Sequence, residues 1–140
     1  RQMSGAEYYG LGRWYADTRG SEEAERAYRM ALTLAKEPGS EIRIRALREL
    51  AYSLKREDRR DEAYPYWQQL SLEGGEGSDG ILACVELAKY YEWYTGELER
   101  AAAWTRAAVR KVECWRSGMR RKDEMAALRH RLERLERKMD

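Results

Sequence analysis

Small and large apolar residues alternate along this chain in a pattern that recurs three times. Each copy opens with large residues and one small residue at steps of three, one and three, and continues after a gap at steps of four and three. The copies are Tyr8, Leu11, Gly12, Tyr15, Ala24, Tyr28, Ala31; then Leu47, Leu50, Ala51, Leu54, Ala63, Trp67, Leu70; then Cys84, Leu87, Ala88, Tyr91, Ala101, Thr105, Ala108. Because steps of three and four place residues on one face of an α-helix, each copy predicts a pair of helices.

The small residues at the repeated positions predict close contact between the two helices of a pair. A side chain of one carbon or none lets two helix axes approach, while large rings fill the spaces between such contacts. The small residues are Gly12, Ala51 and Ala88 in the first helices and Ala24, Ala63 and Ala101 in the second; the rings are Tyr15, Tyr28, Trp67 and Tyr91. We therefore expect antiparallel helix hairpins that stack on one another.

Turn and cap residues divide the chain into seven predicted helices. Ser21 and Ser40 are expected N-caps, and Ser78 or Asp79 is expected to cap the helix after the loop at 73–80. The helices are predicted near residues 4–18, 21–36, 41–57, 61–72, 80–95, 98–115 and 119–138. The chain is thus predicted to be one all-α domain over 1–140, with repeats at about 5–38, 41–74 and 79–115 and a capping helix at 119–139.

The last predicted helix carries a narrow apolar seam: Met125, Leu128, Leu132, Leu135 and Met139. A stacked helical array needs a terminal helix with one polar face, which favours a cap that packs on the third repeat. The alternative is a short dimerising coiled coil. A monomer is favoured, and a dimer through the last helix remains the other possibility.

No set of residues suited to catalysis or to a bound cofactor can be assembled. His130 is the only histidine, and Cys84 and Cys114 lack the spacing of a zinc site, so we expect no enzyme activity, no metal and no cofactor. The glycine-rich loop at 73–80 lacks the lysine of a phosphate-binding loop. No apolar run approaches the ~18 residues of a membrane span. With two cysteines and no signal peptide, the cytoplasm is the expected location.

The segments "YYGLGRWY" and "AERAYRMA" resemble the tetratricopeptide repeat (TPR), whose pattern is W-x2-L-G-x2-Y followed by A-x3-F-x2-A. Tyr8 stands in place of the tryptophan, Tyr28 in place of the phenylalanine, and Thr105 where an aromatic residue is usual. The repeat alanines Ala24, Ala63 and Ala101 lie 39 and then 38 residues apart, against about 34 in the family. The resemblance implies a TPR-like α-solenoid of three hairpins plus the capping helix, and a different α-solenoid remains possible.

The segments "LAYSLKREDRRDEAYPYWQQL", "VELAKYYEW", "ELERAAAWTRAAV" and "ALRHRLERLERK" are also similar to the C-terminal repeat region of certain bacterial ribonuclease-H-like exonuclease proteins. This resemblance implies a bacterial protein whose nuclease domain precedes Arg1. It would make the chain a nucleic-acid-binding appendage of that domain.

In TPR arrays the first helices of the hairpins line a concave groove. The resemblance places basic and aromatic residues of this chain in that groove: Tyr9, Arg13, Arg45, Arg48, Tyr52, Lys89 and Trp93. Such a surface suits an acidic peptide or a phosphate-bearing strand, and an ordinary charged surface is the alternative. We therefore expect a protein-interaction scaffold that holds a peptide or partner domain, with the nucleic-acid-binding appendage as the competing hypothesis.

Overall fold

The computed structural model describes residues 2–140, and the regular elements in that part of the chain are all helical. They are α1 (Gly5–Asp17), α2 (Ser21–Leu34), α3 (Glu41–Arg56), α4 (Arg60–Glu73), α5 (Ser78–Lys89) with a π-helical continuation (Tyr90–Thr95), α6 (Leu98–Glu113) and α7 (Met119–Met139). The prediction of an all-α chain is confirmed. The predicted helix boundaries agree with these to within two residues.

Contacts between α-carbons divide the chain into two compact units. Unit 1 extends to Glu73 and holds α1 to α4, and unit 2 comprises Gly74–Asp140 and holds α5 to α7. The prediction of a single domain over 1–140 stays a prediction, and each unit is described by itself.

Unit 1 is built from two helix pairs that contact each other. Helix α1 packs against α2 and α3 against α4, while α2 lies against α3 and α1 also reaches α3. The small residues of both pairs are buried, as predicted: Gly12, Ala24, Ala51 and Ala63. A Cβ atom added to Gly12 would lie only 2.6 Å from the ring of Tyr28, so a hydrogen is the largest substituent that fits there.

Replacing Gly12 with alanine is expected to lower the free energy of unfolding of unit 1 by about 1–2 kcal/mol. Overpacking against the buried Tyr28 ring costs about 1–3 kcal/mol, and the better helix propensity of alanine returns at most about 1 kcal/mol. Gly10 is the matched control, because the same helix leaves open space around it. Gly10→Ala should therefore raise the stability, and urea denaturation of the two variants should give shifts of opposite sign.

The equivalent large residues of the two pairs differ in exposure. Leu47, Leu50 and Leu54 on α3 are at most 1% exposed, whereas their counterparts Tyr8, Leu11 and Tyr15 on α1 are only half-buried. The cause is position in the stack: α3 packs against α1, α2 and α4, whereas the main packing partner of α1 is α2, with a smaller contact to α3.

Three of the predicted N-caps can be compared with the structure. Ser40 caps α3 by accepting a hydrogen bond from the N–H of Arg43 at 3.4 Å, as predicted. Ser21 is instead the first residue of α2, and Gly20 is its N-cap. The shift arises because the Gly20 N–H still donates to the carbonyl of Tyr15 at 2.8 Å, which closes the end of α1. Helix α5 likewise begins at Ser78 after an N-cap at Gly77, so neither Ser78 nor Asp79 caps it.

In unit 2, α6 packs against both α5 and α7. The shared core contains Cys84 from α5, Ala108 and Val112 from α6, and Met125 and Leu128 from α7. Leu135 is also buried and Leu132 half-buried. The prediction that the seam of the last helix packs on the third helix pair is therefore confirmed for Met125 and Leu128, whereas Met139, at the end of α7, is exposed.

The end of α5 departs from a regular helix. In the third copy of the repeated pattern the small positions Ala88 and Ala101 are 13 positions apart, whereas the corresponding positions in the first two copies are 12 apart. We predicted that the extra residue lies in the turn between the two helices. The turn contains only Gly96 and Glu97, however, and the extra length lies in the π-helical segment Tyr90–Thr95. A wider helical coil absorbs an added residue without ending the helix, and it sets the direction of the side chains in this segment.

Candidate functional site

The structure places the predicted groove residues of α1 in different environments. Tyr9 is buried, with its ring centroid 5.9 Å from that of Tyr28, so it belongs to the core of unit 1. Arg13 is half exposed and donates to the Tyr9 hydroxyl at 3.5 Å, while its Nη1 atom lies 3.9 Å from Glu49 Oε1. The hydrogen bond to Tyr9, followed by the charge of Glu49, raises the pKa of Arg13.

The predicted groove residues of α3 also have partners. Arg45 pairs with Glu41 at 2.5 Å, and Arg48 Nε lies 3.8 Å from Glu49 Oε1. Tyr52 packs edge-on against Trp67, with 4.9 Å between ring centroids. In unit 1, therefore, each predicted cation lies next to a carboxylate, and the predicted rings make internal contacts.

The two predicted residues of unit 2 lie near the end of α5 and in the π-helical segment. Lys89 pairs with Glu86, with 3.2 Å between Nζ and Oε2. The indole of Trp93 is 60% exposed. An exposed tryptophan is the kind of side chain that carries binding energy when a partner covers it.

The residue before Trp93 has the opposite environment. The Glu92 side chain is fully buried, and its carboxylate accepts hydrogen bonds from three cations of α7. Arg131 Nη1 and Arg134 Nη2 donate to Oε1 at 3.2 and 2.7 Å, and Lys138 Nζ donates to Oε2 at 2.7 Å. The π-helical segment thus directs Glu92 into unit 2 while Trp93 faces solvent.

The two arginines that bind Glu92 also flank the Trp93 indole. Their guanidinium carbons lie 5.4 Å (Arg131) and 5.7 Å (Arg134) from its ring centroid. Such cation–π contacts fix the position of an exposed ring. We call the set of Trp93, Lys89, Arg131, Arg134 and Lys138 the Trp93 surface.

The Trp93 surface carries an excess of positive charge. Its four cations are accompanied by the buried carboxylates of Glu86 and Glu92, which leaves two positive charges uncompensated among these groups. Burial by itself would raise the pKa of Glu92, but the hydrogen bonds from Lys138 and Arg134 outweigh it and the pKa is lowered. Burial, followed by repulsion from Arg134, lowers the pKa of Arg131. The cations are thus crowded, and an incoming anion would relieve the repulsion.

Two members of the Trp93 surface were predicted from the sequence and three were not. Lys89 and Trp93 were predicted from their place beside the repeated stripe. Arg131 and Arg134 were interpreted only as charged residues around the seam of the last helix, and Lys138 was not singled out. The available signal was the spacing of these cations, which at three and four residues places them on one helix face. Nothing in the sequence indicated that Glu92 would face them, because that depends on the π-helical segment.

The histidine, cysteine and acidic side chains of residues 2–140 are the groups that could bind a metal ion or react. Within this part of the chain no group of three or more His, Cys, Asp and Glu side chains is arranged to hold a metal ion. His130 is exposed on α7, and both cysteines are free thiols, Cys84 buried and Cys114 exposed. None of the described helices is long and apolar enough to span a membrane.

Comparison with protein-family models finds no model that matches this sequence, and comparison with curated proteins finds no match either. The TPR resemblance therefore depends on the spacing of residues in this chain alone, and it stays a prediction.

Proposed function

We propose that this protein is a non-catalytic interaction scaffold that holds an acidic peptide or partner domain on the Trp93 surface. The observation that carries the proposal is the exposed Trp93 indole, flanked by two guanidinium groups in a cluster with excess positive charge. Tryptophan and arginine are the residues that most often supply the binding energy of protein interfaces. An acidic partner would meet complementary charge around a fixed aromatic anchor.

The internal contacts of the surface support a preformed binding site. Trp93, Arg131 and Arg134 are held by Glu92 and by one another, so little side-chain freedom is lost when a partner binds. The surface is also built on a π-helical segment, a feature that is frequent at functional sites.

The competing function is a nucleic-acid-binding appendage of an upstream ribonuclease-H-like nuclease domain in a bacterial protein. Exposed rings and arginines also suit the bases and phosphates of a single strand. A peptide is favoured because the predicted cations of unit 1 are paired with Glu41 and Glu49, which leaves the excess charge concentrated around one ring rather than along a long track. The TPR-like solenoid, the cytoplasmic location and the monomeric state belong to the same proposal, and the free thiols suit a reducing compartment.

Replacing Trp93 with alanine is expected to weaken the binding of an acidic peptide at least tenfold. The probe is a fluorescein-labelled peptide with aspartates and glutamates around one aromatic residue, measured by fluorescence anisotropy. A loss of about 1.4 kcal/mol, ordinary for a central interface tryptophan, corresponds to a factor of ten in Kd. Because the indole is exposed, the variant should keep its fold, which circular dichroism checks.

The matched control is Trp14→Ala, because Trp14 in unit 1 is also 60% exposed. This variant should leave the affinity for the peptide unchanged. A second probe, an oligothymidylate of equal length, tests the competing function. Tighter binding of the oligonucleotide with a steep loss of affinity on adding salt would favour the nuclease appendage. Equal effects of the two tryptophan variants on peptide binding would contradict the proposal.

A further inference from the structure

A second basic feature of unit 2 lies away from the Trp93 surface, where the loop after α6 meets the start of α7. A cleft of about 460 Å³ opens there between the first residues of α5 and the segment 115–121. Its lining includes Arg116, Arg120 and Arg121, two serine hydroxyls and the Trp115 indole, and no acidic residue lines it. We call it the arginine cleft, and its volume is in the range of ligand pockets.

Two of the three arginines have no carboxylate partner within residues 2–140. Among the described residues, Arg116 and Arg121 form no ion pair, and the Nε atom of Arg121 is buried without a hydrogen-bond acceptor. A buried donor without an acceptor is unfavourable, and a charged donor more so. Arg121 lines the cleft, so an anion bound there could supply an acceptor to its guanidinium group.

The third arginine is already oriented. Arg120 donates to the Ser78 hydroxyl, and its guanidinium lies 4.7 Å from the centroid of the Trp115 ring. Trp115 is fixed in turn by its indole N–H, which donates to the carbonyl of Glu76 at 2.6 Å. Lys111, near the end of α6, donates to the carbonyl of Gly75, the residue before Glu76, at 2.7 Å. The wall of the cleft is thus held on both sides before any ligand binds.

When no anion is bound, the positive charge of the cleft destabilises the start of α7. Arg120 and Arg121 occupy the first turn of α7, which has no acidic residue and no side-chain N-cap. Cations at a helix N-terminus are repelled by the positive end of the helix dipole. An anion among the three arginines removes this repulsion.

We propose that the arginine cleft binds the dianionic phosphate group of a small phosphate monoester. Three guanidinium groups match the charge of about −1.5 to −2 and the three oxygens of such a group, whereas a diester within a nucleic-acid strand carries one charge. Trp115, half-buried at the wall, supplies an apolar surface for the organic part of the ligand. This site is separate from the Trp93 surface and does not depend on the function proposed for that surface.

Calorimetric titration of the whole chain at constant ionic strength tests the proposal with three probes. They are phenyl phosphate, methyl phenyl phosphate (the diester with the same ring) and inorganic phosphate. We expect saturable binding of phenyl phosphate, at least tenfold weaker binding of the diester, and measurable binding of inorganic phosphate.

The test variant is Arg116→Gln/Arg121→Gln. It removes no ion pair between described residues and lowers the repulsion at α7, so its melting temperature without ligand should not fall. We expect it to lose at least tenfold in affinity for phenyl phosphate. Arg106→Gln/Arg129→Gln, which removes the same charge from exposed positions on α6 and α7, should bind as the original chain does.

Three results would each overturn the proposal. One is the absence of saturable binding of phenyl phosphate, and another is equal affinity for the monoester and the diester. The third is undiminished binding by the Arg116→Gln/Arg121→Gln variant. Tighter binding of an oligothymidylate than of phenyl phosphate, lost in that same variant, would assign the cleft to a nucleic-acid backbone and would overturn it as well.

Discussion

Replacing Arg43 with alanine is expected to lower the free energy of unfolding of unit 1 by about 3–5 kcal/mol. Arg43 binds the Glu73 carboxylate with two hydrogen bonds of 2.8 Å, from Nε and Nη2. Its Nη1 atom donates to the carbonyls of Leu32 and Ala35, at the end of α2, at 3.0 and 2.9 Å. Because the Glu73 side chain is only 3% exposed, the variant would leave a carboxylate buried without its cation.

Urea denaturation, with hydrogen exchange of the α2 and α4 amides to report on unit 1, measures this loss. Arg45→Ala is the matched control: it removes an arginine two residues away whose partner Glu41 is largely exposed, and exposed pairs contribute at most about 1 kcal/mol. Equal losses in the two variants would show that the buried arrangement of Arg43 has no special importance.

The same contact makes the stability of unit 1 depend on pH. The hydrogen bonds from Arg43 are the main cause that lowers the pKa of Glu73 from 4.5 to about 2 in the folded chain. The unfolded chain therefore takes up a proton at higher pH than the folded one, and stability is lost as pH falls from about 4.5 to about 2. The stability lost over this pH range is about 3 kcal/mol, because each unit of pKa difference corresponds to 1.36 kcal/mol. In Arg43→Ala this part of the acid dependence should be largely absent.

Replacing Glu92 with alanine is expected to lower the free energy of unfolding of unit 2 by about 2–4 kcal/mol. Removing one partner of a buried ion pair costs about 3–5 kcal/mol because the other charge stays uncompensated. The loss is smaller here because Arg134 and Lys138 are 32% and 43% exposed and can be hydrated in part. Hydrogen exchange of the α7 amides should quicken most, since this carboxylate ties α7 to the π-helical segment.

Glu97→Ala provides the comparison for Glu92→Ala. Glu97 lies five residues further along and pairs with Arg100, and both side chains are largely exposed. We expect a loss below about 1 kcal/mol for this variant. If Glu92→Ala were no more destabilising than Glu97→Ala, the three hydrogen bonds to Glu92 would not hold α7 in place.

The helices were predictable because their signals are local. Apolar residues at steps of three and four, together with glycine and serine at the breaks, located the helices to within two residues. Gly12, Ala51, Ala88 and their counterparts were identified as contact positions from size and spacing alone, and all are buried. A residue that must be small to fit against a neighbouring helix is visible in the sequence without knowledge of what that neighbour is.

The site was only partly predictable because its members come from elements distant along the chain. Trp93 was identified beside the repeated stripe, but its charged partners lie about 40 residues further on, in α7. Tyr9 illustrates the opposite failure: it was expected in an exposed groove and lies in the core against Tyr28. A position next to the apolar stripe of a helix can face either the core or the solvent. The spacing of residues alone does not show which of the two it faces.

The sequence by itself determined that the chain is helical, where each helix begins and ends to within two residues, and which small residues bring paired helices together. Only the tertiary structure decided that the extra residue of the third copy widens α5 into a π-helix. It also decided that Glu92 turns inward to three cations and that Trp93 stays outside between two of them. The reason is physical: helix signals act over three or four residues, whereas the balance of charge around a buried carboxylate depends on which distant helix faces it.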